Sequence, residues 1–307
     1  MVRVKKRFMK EYLGRSIVTI CGVFIILVTL VIAFFLFYKG IGIFTNRKHS
    51  VLEFLFSSNW NPQMMAIGSA GSIGSAVFIV GSIVISLFAL IIATPFSIAS
   101  AIFMSDISPK MGKRLLQPAT EIFVGIPSVV YGWVGATVLV PFLTNLFHLP
   151  RAFGILPAAI VLSVMIFPTI TSVSADAIKS VSNDYREASY ALGSTRWQMI
   201  SRVILPTAVP GILTGVVLGL ARAFGEALAV AMVIGGRDGF PDMKQFFFSS
   251  TYNLTAKITS DMGSSFQGTE WNDALWTMAL LLLIISFVFI LIIRMLSRKG
   301  KKVDAKN

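Results

Sequence analysis

Apolar residues along this chain gather into six long runs, and polar residues fall almost entirely between them. The runs cover residues 16–38, 76–104, 122–146, 153–175, 207–235 and 274–296. Each reaches the roughly 20 apolar residues that a helix needs to cross a bilayer. A backbone in lipid must also satisfy its own polar groups, which favours helix. The pattern predicts an all-α, polytopic membrane protein with six transmembrane helices. The first run follows the basic segment Met1–Arg15 and is too long for a signal-peptide core, so it reads as an uncleaved span. The second is long enough to tilt or to project from the membrane, with Pro95 as a kink. Pro127 and Pro168 are expected to interrupt the third and fourth, with Ser128, Thr169 and Thr171 placed to satisfy the freed backbone groups.

Lysine and arginine then orient the spans. Residues 1–15, 105–121, 176–206 and the tail from Arg294 hold nineteen of them. The opposite side holds seven: Lys39, Arg47, Lys48, Arg151, Arg237, Lys244 and Lys257. The positive-inside rule places both termini and the 176–206 segment on the cytoplasmic side. Three regions follow. Residues 1–75 supply the N-terminus, first span and an external loop; 76–296 form the core, with a cytoplasmic loop at 183–205; 297–307 are a basic tail, expected to touch anionic lipid headgroups. Outside, Trp60 and Phe246–Phe248 are expected at the headgroup level, a part in receiving an external protein being the other reading.

The cytoplasmic segment Arg186–Pro206 is polar and helix-forming although it lies between two apolar runs. Asp184 with Glu187, and Thr195 with Gln198, are helix-start signatures. Gly193 suits the left-handed position that ends a helix, and Pro206 stops the second helix and opens the next span. Two short helices, about 184–192 and 196–204, with a turn at Gly193–Ser194, offer a surface that a second protein can grip.

Composition narrows the classes. The chain of 307 residues is 55% hydrophobic and 13% charged, with one cysteine and two histidines, and its mean hydropathy is +0.78. An intrachain disulfide is impossible, and a structural zinc site lacks ligands. No phosphate-loop motif G-x-x-x-x-G-K-[ST] is present, so the chain is not expected to hydrolyse ATP itself, and no catalytic residue, metal or cofactor is expected here. The net charge of +13 reflects topology rather than nucleic-acid binding.

The fifth run carries the deepest charges. Arg222 lies near its midpoint and Glu226 one turn later. At 3.6 residues per turn, Gly211, Gly215, Gly219, Arg222 and Glu226 share a stripe about 80° wide. Glycines spaced by four let another helix approach closely, so the charged pair is expected on a packed face. An arginine at mid-membrane costs roughly 2.5–3.5 kcal/mol. One reading is an ion pair that fixes packing. The other is a guanidinium lining an anion path, since its planar fork bonds two phosphate oxygens at once. Glu121, at the mouth of the third span, is either a carboxylate at a helix start or part of an exit path.

Several of these residues also resemble a known family. Glu187-Ala188-Ser189, then Gly193, Val203, Leu205 and Pro206, resembles the signature loop of ABC-importer permeases, with Ser189 and Val203 as mild departures. Gly211–Gly215 and Arg222-Ala223-Phe224-Gly225-Glu226 look like the phosphate-importer permeases, except that Ala227 stands where those have threonine. Glu121–Gly132, Asn59–Pro62 and Ala227–Val233 extend the likeness, most to the C-type (PstC) subunit. The resemblance implies a type I ABC importer fold, with Glu187, Ala188 and Gly193 docking an ATPase subunit. It implies a second, A-type permease subunit, two ATPase copies and an extracytoplasmic phosphate-binding protein. The alternatives are an importer of another oxyanion (molybdate, sulfate or phosphonate) and an ion-coupled carrier. A carrier would need several intramembrane carboxylates or histidines, and Glu226 stands alone.

Overall fold

The computed structural model describes residues 2–66 and 71–304, with side chains over 14–64 and 71–295. The basic side chains expected at the N-terminus before Arg15, and those of the 297–307 tail, lie outside the described residues. Among the described residues, six helical stretches are long and apolar enough to cross a membrane: Gly14–Thr45, Ala76–Ile107, Ser128–Phe147, Ile155–Lys179, Arg196–Gly225 and Glu270–Met295.

Three helices form the centre. α2 (Ala76–Ile102) and α9 (Leu205–Gly225) both pack along α6 (Ile155–Lys179). Fully buried alanines at the contact, Ala89 on α2 and Ala158 and Ala159 on α6, let the backbones approach closely. Ile85, Leu162, Met165, Ile166 and Ile170 fill the space around them. By contrast, the apolar window of α1 (Val2–Gly40) is entirely unburied. It leans at its outer end on α12 (Glu270–Asp304), where Phe35 meets Trp276 edge-on at 5.4 Å and Thr277 Oγ1 donates to the Gly40 carbonyl at 2.7 Å. α12 runs unbroken past residue 297, so the boundary expected there falls inside a helix.

The prolines behave differently from one another. Pro127 does break the third span: α3 (Gln117–Gly125) ends, Ile126 and Pro127 are extended, and α4 (Ser128–Val134) begins. A proline lacks the N–H and biases its predecessor toward extended backbone. The hydroxyl that satisfies the freed Phe123 carbonyl is Tyr131, at 2.7 Å, not Ser128. After a wider π-turn at Gly135–Leu139, α5 (Val140–Phe147) completes the span. Pro168 and Pro95, however, sit inside unbroken α6 and α2. α6 is clamped between two neighbours, and packing holds its course. Thr169 and Thr171 do not serve Pro168: Thr169 faces Arg222, and the Thr171 hydroxyl is buried without a partner. Pro206 also fails to stop its helix. α8 (Arg196–Met199) passes through a π-turn at Ile200–Ile204 into α9, and the Leu205 N–H reaches back to the Ile200 carbonyl. The widened turn makes room for a proline that has no N–H to offer.

The fifth span is not one helix. α9 ends at Gly225, Glu226 is extended (φ −79°, ψ 119°), and α10 (Leu228–Val233) starts afresh. Beyond it, residues 39–66, 71–75 and 236–273 build a folded cap. α11 (Leu254–Met262) and short helices at Gly42–Thr45 and Val51–Phe56 close over Ile43, Phe54, Ile73, Phe78 and Leu275. Trp60 is therefore buried, not at the headgroup level, and its indole N–H donates to Asp261 at 3.1 Å. Phe247 and Phe248 fold back onto Phe88 and Phe147. Lys257, 5% exposed, bridges Asp238 and Asp261 at 2.9 and 3.3 Å beneath the Tyr252 ring.

Candidate functional site

Two places concentrate the expected functional residues: the knob at the opposite end from the cap, and the break in the fifth span.

The knob is α7 (Asn183–Ala191) followed by α8. Its first helix is capped by Ser182, whose hydroxyl accepts from the Asp184 N–H, so Asp184 lies in the first turn instead of acting as the cap with Glu187. Its end is a complete Schellman turn. The Gly193 N–H bonds the Tyr190 carbonyl at 2.9 Å, and the Ser194 N–H bonds the Ser189 carbonyl at 3.2 Å. Gly193 carries the positive φ of 77° that this turn demands. Thr195 and Gln198 then form the reciprocal capping box that opens α8. Ser189 is buried, its hydroxyl 2.9 Å from that of Ser194. Glu187 and Ala188 are exposed, and so are Tyr185, Tyr190, Leu192 (89%) and Trp197 (63%). The knob thus shows a cluster of exposed apolar side chains beside two carboxylates, Asp184 and Glu187, a surface of the kind that marks protein–protein contacts.

The knob is fastened from below by residues whose role the sequence did not reveal. Arg186 reaches Asp106 at 3.1 Å and the carbonyls of Val181 and Ile178; Arg196 reaches the Ile107 carbonyl. A lone acid at the end of an apolar run was the available signal for Asp106.

On α9, the glycine stripe lies against α6. A Cβ added at Gly211 would sit 2.4 Å from Ala177 Cβ, one at Gly215 3.2 Å from Val173 Cβ, and one at Gly219 2.7 Å from Ile170 Cγ1. Arg222, half-buried on the same face, donates through Nη1 to Thr169 Oγ1 of α6 at 3.2 Å. The expected meeting of Arg222 and Glu226 is not made: among the described residues, no ion pair within 4.0 Å involves either. Spacing by four brings side chains together only while the helix continues, and here it ends between them. Glu226 instead accepts from the Ala229 N–H at 3.1 Å, capping α10, while its carbonyl accepts from Thr255 at 2.8 Å. A polar side chain that offers the backbone a local partner competes with helix. Glu121 lies in the second turn of α3, bonded to Gln117 at 3.1 Å. The helical π-turn Gly112–Leu116 precedes it, so it does not cap a helix start.

Comparison with known proteins follows the same lines. Residues 93–302 match the family model of the binding-protein-dependent transport system inner membrane component. A Bacillus subtilis protein named "Probable ABC transporter permease protein YqgH" is 48% identical, covering 97% of this chain and 94% of its own. A Mesorhizobium japonicum protein named "Phosphate transport system permease protein PstC" is 32% identical over 79% of this chain and 77% of its own. Among solved structures, a chain of a bacterial alginate ABC transporter, bound to its periplasmic protein, superposes with a TM-score of 0.56 at 18% identity, over 90% of this chain and 94% of that one. A chain of the inward-facing MetNI methionine transporter gives 0.54 at 20% identity, over 72% and 91%. The fold is that of type I ABC importer permeases.

Proposed function

This chain belongs to the family of binding-protein-dependent transport system inner membrane components, and from that membership we propose that it is the C-type permease subunit of an inorganic phosphate importer. It is a non-catalytic, multi-pass component of the cytoplasmic membrane. An importer of this class implies an ATPase and a substrate-binding protein as partners. Relatives named as phosphate permeases support phosphate as the substrate. On this reading the chain pairs with an A-type permease subunit. It docks one of two ATPase copies through Glu187, Ala188 and Gly193, and it receives phosphate from an extracytoplasmic binding protein. Closure of the ATPase pair on ATP moves the docked knob, and the spans switch access between the two sides.

One observation carries the anion reading: Arg222, half-buried on the face of α9 that packs on α6, has a neutral hydroxyl as its side-chain partner. Its fork stays charged at any working pH and fits two oxygens of a phosphate. Thr169 holds it at rest, and Glu226 keeps the break open by capping α10.

The test uses the four-component importer in proteoliposomes, with radiolabelled phosphate. A charged hydrogen bond is worth about 1.5–3 kcal/mol, so Arg222→Gln should slow uptake at least tenfold while the complex still assembles. Arg222→Lys should be impaired as well. Because Glu226 does not pair with Arg222, the double variant Arg222→Gln, Glu226→Gln should remain inactive. Parental uptake by that double variant would remove Arg222 from the substrate path. Excess molybdate, sulfate or phosphonate should leave uptake unchanged, and stronger competition by one of them than by phosphate would reassign the substrate.

A further inference from the structure

Two arginines of the knob each place one hydrogen bond on the turn that finishes α2. Arg186 of α7 donates through Nε to Asp106 Oδ1 at 3.1 Å, through Nη1 to the Val181 carbonyl at 2.7 Å and through Nη2 to the Ile178 carbonyl at 3.1 Å. Arg196 of α8 donates to the Ile107 carbonyl at 2.9 Å. Asp106 and Ile107 both belong to the π-turn Phe103–Ile107 that finishes α2. Ser105 of the same turn donates to the Ala175 carbonyl of α6 at 3.3 Å. Both knob helices and α6 are thus gathered on one widened turn, a feature that concentrates at functional positions.

The chemistry is poor value for stability alone. The Asp106 side chain is 5% exposed and that of Arg186 17%, and Asp106 Oδ2 is buried with no partner at all. A buried ion pair offers little over apolar residues of equal volume, and an orphaned oxygen subtracts from that. What the pair does supply is direction: neither partner slides without leaving a buried charge unpaired. From this joint, α2 runs unbroken to the cap. There Ser82 Oγ accepts from the Leu254 N–H at 2.8 Å, and the next residue, Thr255, donates to the Glu226 carbonyl at 2.8 Å.

We propose that Asp106 and Arg186, with Arg196 on Ile107, are positioning residues that make α2 a strut, carrying movement of the knob to the segment around Glu226. The proposal rests on the reading of the knob as the ATPase dock. It treats the joint as closed throughout the cycle, so breaking it should separate ATP hydrolysis from import.

The experiment compares Asp106→Ala and Arg186→Gln with the parental importer in proteoliposomes, measuring phosphate imported per ATP hydrolysed. Loss of folded protein lowers import and hydrolysis together and leaves their ratio alone, whereas a broken strut lowers the ratio. We expect both variants to retain the ATPase subunit and to hydrolyse ATP within about threefold of the parent, with the ratio down at least tenfold. An unchanged ratio in assembled complex overturns the proposal. Where a variant fails to assemble, Asp106→Asn and Arg186→Lys replace it, and failure of these as well assigns the pair to folding and overturns the strut. A parental complex that imports no phosphate would instead sink the functional reading, and the two failures are distinguishable.

Discussion

Gly193 isolates a single physical quantity. Its φ of 77° is the left-handed value, and a Cβ built there meets nothing within 4 Å. Substitution therefore changes backbone energy without touching packing. Left-handed backbone costs an ordinary L-residue about 1–2 kcal/mol, asparagine less, and a β-branched residue the most. If the ATPase subunit recognises the knob in its Schellman turn, this strain lowers the fraction of knobs in the docking shape. Apparent affinity falls by the same factor. A cost of 1–2 kcal/mol corresponds to about 5- to 30-fold. In nanodiscs, ATPase binding should be near parental for Gly193→Asn, about fivefold weaker for Gly193→Ala and about 30-fold weaker for Gly193→Val, at equal amounts of permease in the membrane. Equal affinity for the Asn and Val variants would refute the reasoning, because at an open position backbone strain is what separates them.

Two further outcomes are expected. In a Cys21→Ser background, a membrane-impermeant thiol reagent should label Asn61→Cys on intact cells but Leu192→Cys only after permeabilisation; the reverse pattern would invert the topology. On the glycine stripe, Gly211→Ala drives its Cβ to 2.4 Å from Ala177 Cβ, next to backbone, whereas Gly219→Ala meets the flexible end of Ile170. Overpacking costs about 1–3 kcal/mol, so thermal unfolding in detergent should fall more for Gly211→Ala, and an opposite ranking would show that α6 yields where it looks rigid.

The spans were legible because bilayer thickness and hydropathy are read from single residues and their neighbours. The knob was legible too: Gly193, Thr195 and Gln198 signal their turn and cap through bonds to residues a few places away. What escaped depends on distant partners. Nothing near Pro168 or Pro127 in sequence tells that one is clamped between α2 and α9 while the other is free to break its span. Asp106 and Arg186 are eighty residues apart, and Lys257 reads as a loop cation until Asp238, Asp261 and Tyr252 are seen to enclose it. The pairing of Arg222 with Glu226 failed for a local reason that spacing cannot express: periodicity places two residues on one face on condition that the helix survives between them, and Glu226 itself ends it.

The two inward arginines make the case for a visiting anion by contrast. A guanidinium taken from water must recover its lost solvation from fixed groups, since it does not deprotonate. Arg186 does so through all three of its nitrogens, each donating to an oxygen, one of which carries the charge of Asp106. Arg222 has one hydroxyl, and among the described residues no carboxylate lies within 4.0 Å of it. The glycine stripe that leads to it packs on α6, so it does not escape to lipid. Gly225, the last residue of α9, is exposed with nothing within 4 Å of where its Cβ would be, so the break beside Arg222 is open. A half-buried cation held beside this break has a deficit that none of the described residues repays. A mobile anion with two adjacent oxygens would repay it, and would do so reversibly, which is what a path through a membrane requires.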